Sequence, residues 1–253
     1  MQDKPVLGFT HGEITNTVFN DPLFGYADLG MCSILLDYGE KKDGYELNKP
    51  LIKPHQILRR SSRTIKRLYR ENADISAVEV ESCRSLYIPT MYSGNYHYGP
   101  FRALEDDVYK YWQKHLVASI PNLTIKNHPK SIKPELGVRA EDRWLEDCIG
   151  DYDLLILDNY STAASIAVFS DKPVMFFDIG LRNMSSRYTE LLRKRCHYRT
   201  INLCEELSSQ INDVLDSFGE QSNSWSNLKL KDYAIRKDNV DGVWPALVST
   251  LFN

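Results

Sequence analysis

The sequence predicts an α/β protein built on a parallel sheet. Two observations carry that expectation. From residue 76 onward, short apolar runs of strand length alternate with stretches of helical periodicity, the signature of βαβ units. Within that region the run Leu154 to Leu157 ends in Asp158-Asn159-Tyr160-Ser161-Thr162, a helix-like run follows, and a second apolar run covers Val174 to Phe177. Small hydroxyl residues thus stand where a strand hands over to a helix.

Taken in order, Pro5 to Phe9 reads as a buried strand that runs into Thr10-His11-Gly12-Glu13. A domain rarely opens on a core strand and a site-like loop, so earlier strands are expected to be missing, through truncation or a split gene. Residues 14–30 are mixed, part loop and part short helix. Cys32 to Leu36 is a second short strand, closed by Asp37-Tyr38-Gly39. Residues 40–53 are polar, with Gly44 and Pro50, and read as a loop. Pro54 suits the first turn of a helix. Ile57, Leu58, Ile65 and Leu68 then predict a helix over 54–71, with Arg59, Arg60, Arg63, Lys66, Arg67 and Arg70 on its other faces.

Leu86 to Pro89 is a strand, followed by a loop bearing Tyr92, Tyr96, His97 and Tyr98. Leu104 to Ile120 is an amphipathic helix with Glu105, Asp106 and Asp107 in its first turn, where the helix dipole favours acids. Leu123 to Lys126 is a strand, and a short helix covers 141–149. The strand 154–157, the helix 161–169 and the strand 173–177 follow. A helix over 186–195, a strand over 198–201 and a helix over 205–218 complete the series. Residues 219–227 are rich in Ser, Asn and Gln and read as a linker; the tail 228–253 ends in a short apolar helix.

The first N–H groups of a helix have no intrahelical partner and carry partial positive charge. They make an anion site, typically for phosphate. Ligands of parallel sheets bind outside the carboxyl ends of the strands. His128, Asp158, Ser161, Asp178 and the loop 90–99 all fall at that edge. Lys126 and Lys130 flank His128 and favour an anion there. His11 before Gly12 allows close ligand approach, and Glu13 is placed to orient the imidazole or to act as a base. Arg182 and Arg187 are candidates to pair with phosphate or a sugar carboxylate. Asp178 either caps the helix after it or meets the ligand. Asp151-Tyr152-Asp153 leads into a strand, which puts it at the far edge, so it is not read as a metal motif.

The bulk numbers bound the rest. The chain has 253 residues, of which 42% are hydrophobic and 26% charged, an ordinary globular composition. A net charge of −3 supplies no field that would draw nucleic acid. No apolar run approaches the roughly 18 residues needed to span a membrane. Met1-Gln-Asp-Lys is expected to open no signal peptide, because no apolar stretch follows. The 5 cysteines form no CxxC pair, which argues against zinc knuckles and thioredoxin chemistry and fits reduced thiols in a cytoplasm.

The pattern His128-Pro129, then Asp158-x-x-Ser161-Thr162, then Lys172-Pro173-Val-x-Phe-x-Asp178 resembles the C-terminal half of GT-B glycosyltransferases. Those of bacterial surface-polysaccharide synthesis are the nearest in pattern: CDP-glycerol glycerophosphotransferases, capsular Kdo transferases and polysialyltransferases. Thr10-His11-Gly12-Glu13 through Asp37-Tyr38-Gly39 is similar to the HG…WG pattern of their acceptor-binding domain, with Tyr38 in place of tryptophan. Asn159-Tyr160 departs from the Tyr-Ser-Ser that the glycerophosphotransferases more often show.

The resemblance implies a GT-B-like fold: a Rossmann-type donor domain over 76–220, preceded by a truncated remnant of the acceptor domain over 1–75 and followed by a helical extension over 221–253. It implies donor-phosphate binding by His128, Ser161 and Thr162, and a role for His11 in catalysis or in orienting the phosphate; the residues themselves add Glu13 as the alternative catalytic base, Lys130 beside the phosphate, and Asp158, Asp178 and Arg182 as cleft candidates. The activity implied is transfer of a sugar or polyol phosphate from a CMP- or CDP-activated donor to a cell-surface glycan, with no metal and no cofactor. The partners expected are the nucleotide donor, a glycan acceptor, anionic lipid or an anionic acceptor polymer at the basic helix 54–71, and a second chain supplying the missing strands. The location expected is cytoplasmic, at the inner face of the plasma membrane. The alternatives are a sugar-nucleotide epimerase on the same fold and a non-catalytic subunit that only binds nucleotide.

Overall fold

Two parallel sheets organise the residues described by the structure, a computed structural model covering residues 6–10, 17, 30–39, 56–70, 75–90, 104–129, 131, 135–218, 225 and 230–235. The chain divides into two compact units: Met1–Arg67 with Asn183–Tyr188 and Lys229–Asn253, and Leu68–Arg182 with Thr189–Leu228.

The first unit holds β1 (Leu7–Phe9), β2 (Ile34–Tyr38), β3 (Gln56–Arg60) and α1 (Arg63–Leu68), its strands parallel in the order β1-β2-β3. Strand alternation sorts its side chains. Leu7, Ile34, Leu36 and Leu58 cluster on one face, and Cys32, Leu35 and Ile57 on the other. The helix expected over 54–71 is corrected: 56–60 is a strand and, among the described residues of that span, only 63–68 is helical. Ile57 and Leu58 are adjacent, so each can feed a different face of a sheet, and pairing with β2 decides between the two periods. The expected membrane contact through a continuous basic helix loses its basis, because Arg59 and Arg60 belong to the strand.

Gly39 turns the chain after β2 with φ +67, and a Cβ there would lie 2.4 Å from the Asp232 carbonyl oxygen. Gly39→Ala is therefore expected to lower stability by about 2 kcal/mol, the scale of left-handed strain, as read by urea denaturation. A change below about 0.5 kcal/mol, the range of ordinary surface substitutions, would show that the loop yields freely.

The second unit holds β4 (Ser85–Ile88), α2 (Asp106–Ser119), β5 (Leu123–Ile125), β6 (Arg139–Ala140), α3 (Leu145–Cys148), β7 (Leu154–Leu157), α4 (Thr162–Phe169), β8 (Val174–Asp178), α5 (Ser186–Arg195, whose first turn is grouped with the first unit), β9 (His197–Thr200) and α6 (Leu207–Asp216). All neighbouring strands are parallel, in the order β6-β5-β4-β7-β8-β9. Counted from β4, that order is 3-2-1-4-5-6, the doubly wound Rossmann arrangement. The α/β, parallel-sheet class expected from the sequence is what the chain has.

Tyr87, Leu154, Ile156, Met175 and Phe177 share one core with Tyr109, Trp112 and Leu116 of α2 and Leu207, Ile211 and Val214 of α6. The alternating residues Leu86, Leu155, Leu157 and Phe176 are buried as well. A sheet covered on both faces explains why these strands read as continuous apolar runs. The two-residue β6 escapes the sequence pattern because both its residues are exposed.

The loop 91–100, most of the segment 11–29, and the tail helix expected over 243–252 lie outside the described residues. Among the described residues no helix is long and apolar enough to cross a membrane.

Candidate functional site

The strand order reverses direction between β4 and β7. In such sheets the crevice for a ligand opens there, beyond the carboxyl ends of those two strands. β7 delivers Asp158 to Ser161 to that edge and α4 starts immediately after. Ser161 is the N-cap in extended backbone, its Oγ accepting from Ala164 N–H at 3.3 Å. Ser165 N–H is taken by the Ser161 carbonyl at 2.8 Å. The N–H groups of Thr162 and Ala163 find no acceptor among the described residues, as helix geometry leaves them. Thr162 is exposed. The start of α4 thus offers two N–H donors, a hydroxyl and the positive end of a helix dipole.

His128 is exposed in the segment that follows β5, with its carbonyl accepting from Ser131 N–H at 2.9 Å. β5 and β7 flank β4 on opposite sides, so His128 and Ser161 leave the sheet on either side of the same strand. Arg182 is half-buried beyond β8, after the turn at Gly180. Lys130, His11 and Glu13 lie outside the described residues.

Asp158 is relocated. The expectation that it lines the cleft is corrected, because it is 1% exposed and faces the core. Its carboxylate accepts from the Tyr87 hydroxyl, from the Tyr109 hydroxyl at 3.0 Å and from Trp112 Nε1 at 3.0 Å. The Tyr109 hydroxyl also accepts from Thr90 N–H at 3.1 Å, just beyond β4. One buried carboxylate therefore ties α2 to the exits of both switch-point strands. Burial pushes its pKa up to about 6, against the lowering effect of those three donors. Burial and the neighbouring Asp158 charge raise both tyrosine hydroxyls well above their ordinary range. Tyr109 and Trp112, three apart on an amphipathic helix, carried the available sequence signal: polar tips on a buried face need a partner.

Asp178 is likewise engaged. Its Oδ1 accepts from Gly180 N–H at 3.1 Å, and its Oδ2 accepts from the Tyr198 hydroxyl. The carboxylate stabilises the turn at Gly180 (φ +77) rather than capping α5. That helix is capped by Ser185, whose Oγ accepts from Tyr188 N–H at 3.2 Å.

Asp151 and Asp153 stand at the amino edge of β7, as expected. Asp153 accepts from Arg84 N–H at 3.0 Å, and Asp151 pairs with Arg143 at 2.8 Å. Among the described residues no group of three or more His, Cys, Asp or Glu stands close enough together to hold a metal ion.

No family model matches the chain, and no curated protein matches it in sequence. Among solved structures, the chain is similar to spinosyn forosaminyltransferase SpnP, with TM-score 0.44 and 13% identity over 88% of this chain and 56% of that one. It is also similar to the wall teichoic acid polymerase TagF, with TM-score 0.34 and 14% identity over 82% of this chain and 57% of that one. The chain spans just over half the length of each.

Proposed function

We propose that the second unit binds the diphosphate or monophosphate of a nucleotide-activated donor at the start of α4, and that the chain serves glycosyl or polyol-phosphate transfer in the GT-B manner. The observation that carries this reading is the Ser161-capped helix with two unanswered N–H groups at the switch point of a 3-2-1-4-5-6 sheet. Thr162 contributes a hydroxyl to the same anion, His128 contributes from the β5 side, and Lys130 is proposed to add charge. Asp158 acts from beneath, holding the β4 and β7 exits in place. Arg182 is proposed at the rim.

In the proposed reaction an acceptor hydroxyl attacks the activated centre of the donor. The bond from that centre to the nucleotide phosphate breaks, and the nucleotide leaves with the electron pair. The charge it gains is what Ser161, Thr162 and His128 stabilise, a contribution that preorganised donors make well. Glu13 or His11 takes the acceptor's proton. CMP- and CDP-linked donors are the proposed class, from the motif resemblance, with a cell-surface glycan as acceptor.

Calorimetric titration with CMP, CDP, UDP and GDP tests the reading. Saturable binding of a cytidine nucleotide is expected. Ser161→Ala and His128→Ala are each expected to weaken it roughly tenfold, the equivalent of one hydrogen bond to a charged group. No binding of any of the four by folded protein, or an affinity unchanged from the parent in both variants, would overturn it.

A further inference from the structure

The three-stranded sheet of the first unit ends in an unequal pair of arginines. β3 closes with Arg59 and Arg60, whose side chains alternate to opposite faces. In register, Arg59 stands beside Asp37 and Arg60 beside Tyr38. On the first face the charge is answered: Arg59 Nη1 lies 3.6 Å from Asp37 Oδ2, and Asp37 is buried. On the second face no carboxylate among the described residues comes within ion-pair distance of Arg60.

Aromatic rings hold Arg60 instead. Its Cζ lies 4.5 Å from the centre of the Tyr38 ring and 5.5 Å from that of Phe9. Nη2 donates to the Tyr38 hydroxyl. Nε is buried without an acceptor, and Nη1 has none among the described residues either. Stacking fixes the plane of a guanidinium while leaving its in-plane N–H groups for another oxygen ligand. A buried donor with no acceptor is uncommon enough to need a reason.

Position supplies the reason. Phe9, Tyr38 and Arg60 are the last residues of β1, β2 and β3. All three stand on one face, at the carboxyl edge where α/β sheets take ligands. Phe9 is 52% exposed, so the cluster opens to solvent.

We propose that Arg60, stacked on Tyr38 and Phe9, is the oxyanion-binding residue of a second ligand site, at the carboxyl edge of the three-stranded sheet. Its ligand is a phosphate or carboxylate group. The binding stands by itself. Its role, holding the negative charge of an anionic acceptor, rests on the transferase reading above.

The test is side-chain NMR of the full chain. The Arg60 Nε–H signal, assigned by its loss in Arg60→Lys, is followed while glycerol 3-phosphate, inorganic phosphate or glucuronate is added, with chloride as the ionic-strength control. A saturable shift at an affinity on the order of 1 mM is expected, a value typical of one charge-assisted contact set. Response to the phosphates alone identifies a phosphate ligand; response to glucuronate alone identifies a carboxylate. Binding is expected to disappear in Arg60→Met and to weaken several-fold in Phe9→Leu, an exposed change that spares the fold. No saturable shift, or unchanged affinity in Arg60→Met, overturns the proposal. Nucleotide titration separates the two readings. Arg60→Met should leave nucleotide affinity unaltered. A chain that binds glycerol 3-phosphate but no nucleotide would sink the transferase reading and keep this site.

Discussion

Replacing Arg195 by methionine is expected to lower the unfolding free energy by about 3–5 kcal/mol, the scale of leaving two or three buried carbonyl acceptors without a donor. Arg195, in the last turn of α5, is 0% exposed. Its Nε donates to the Val168 carbonyl at 2.7 Å, and its Nη2 to the carbonyls of Ser170 at 3.0 Å and Lys172 at 2.7 Å. These oxygens belong to the end of α4 and the turn into β8. The Val168 carbonyl is one that a helix terminus leaves without an intrahelical donor, at the negative end of its dipole; those of Ser170 and Lys172 lie at the C-cap and in the turn beyond it. Burial pushes the guanidinium pKa down from its ordinary value. Methionine fills much of the volume but abandons several buried acceptors at once, each worth about 1–3 kcal/mol when unsatisfied. Arg195→Lys keeps charge but loses the planar fork, and should recover less than half of the loss. Urea denaturation at neutral pH measures both. A methionine variant within about 1 kcal/mol of the parent, the typical effect of an arbitrary substitution, would refute the capping role.

The second large effect is a pair of opposed pH dependences that single substitutions separate. His197 begins β9 and is fully buried, with Nε2 donating to the Val214 carbonyl at 3.1 Å. Burial, aided by the Arg199 charge, pushes its pKa down from 6.5 to about 4. Between those values the unfolded chain binds a proton that the folded chain refuses. Stability from this group is therefore present above pH 6.5 and lost as pH falls towards 4. Asp158 runs the other way. Its pKa rises from 3.8 to about 6, so the folded chain holds a proton that the unfolded chain has lost. That stability is present below pH 3.8 and lost as pH rises through 6.

Each group alone contributes a slope of about 1.4 kcal/mol per pH unit in its window. From pH 4 to 6 the two nearly cancel. Asp158→Asn removes one of them, so the variant should gain stability with rising pH at about that slope. His197→Gln, which keeps a donor towards Val214, should lose stability over the same range. Denaturant titrations at half-unit pH steps measure both slopes. Two parallel profiles with no difference in slope would show that neither group is held as its burial requires.

Particular residues show how much was legible in advance. Ser161 was readable because N-cap chemistry is local: a hydroxyl before an apolar helical run has few other uses. Asp178 was readable only as far as its place at the end of β8. Its turn at Gly180 depends on local geometry, but its second partner, Tyr198, comes from another strand. Asp158 stands in the same motif as Ser161 and was expected beside it. Its burial depends on Tyr87, Tyr109 and Trp112, which the chain brings in from a strand and a helix far away in sequence. Arg195 reads as one more basic residue in the run Arg193-Lys194-Arg195, and nothing local separates it from its exposed neighbours. The segment 56–60 fits two periods, and only the β2 backbone could choose.

The sequence by itself determined the α/β class, the parallel strands of the second unit from β4 to β9 apart from β6, and the capped start of α4. These follow from periodicity and capping, which act within a few residues. The tertiary structure alone decided the 3-2-1-4-5-6 order, the strand at 56–60, the burial of Asp158 and Arg195, and the stacking of Arg60 between two strand ends. Each of these depends on which distant backbone a segment pairs with and on which buried polar group finds a partner there. Such energies are settled between segments far apart in sequence and leave no periodic trace in either one.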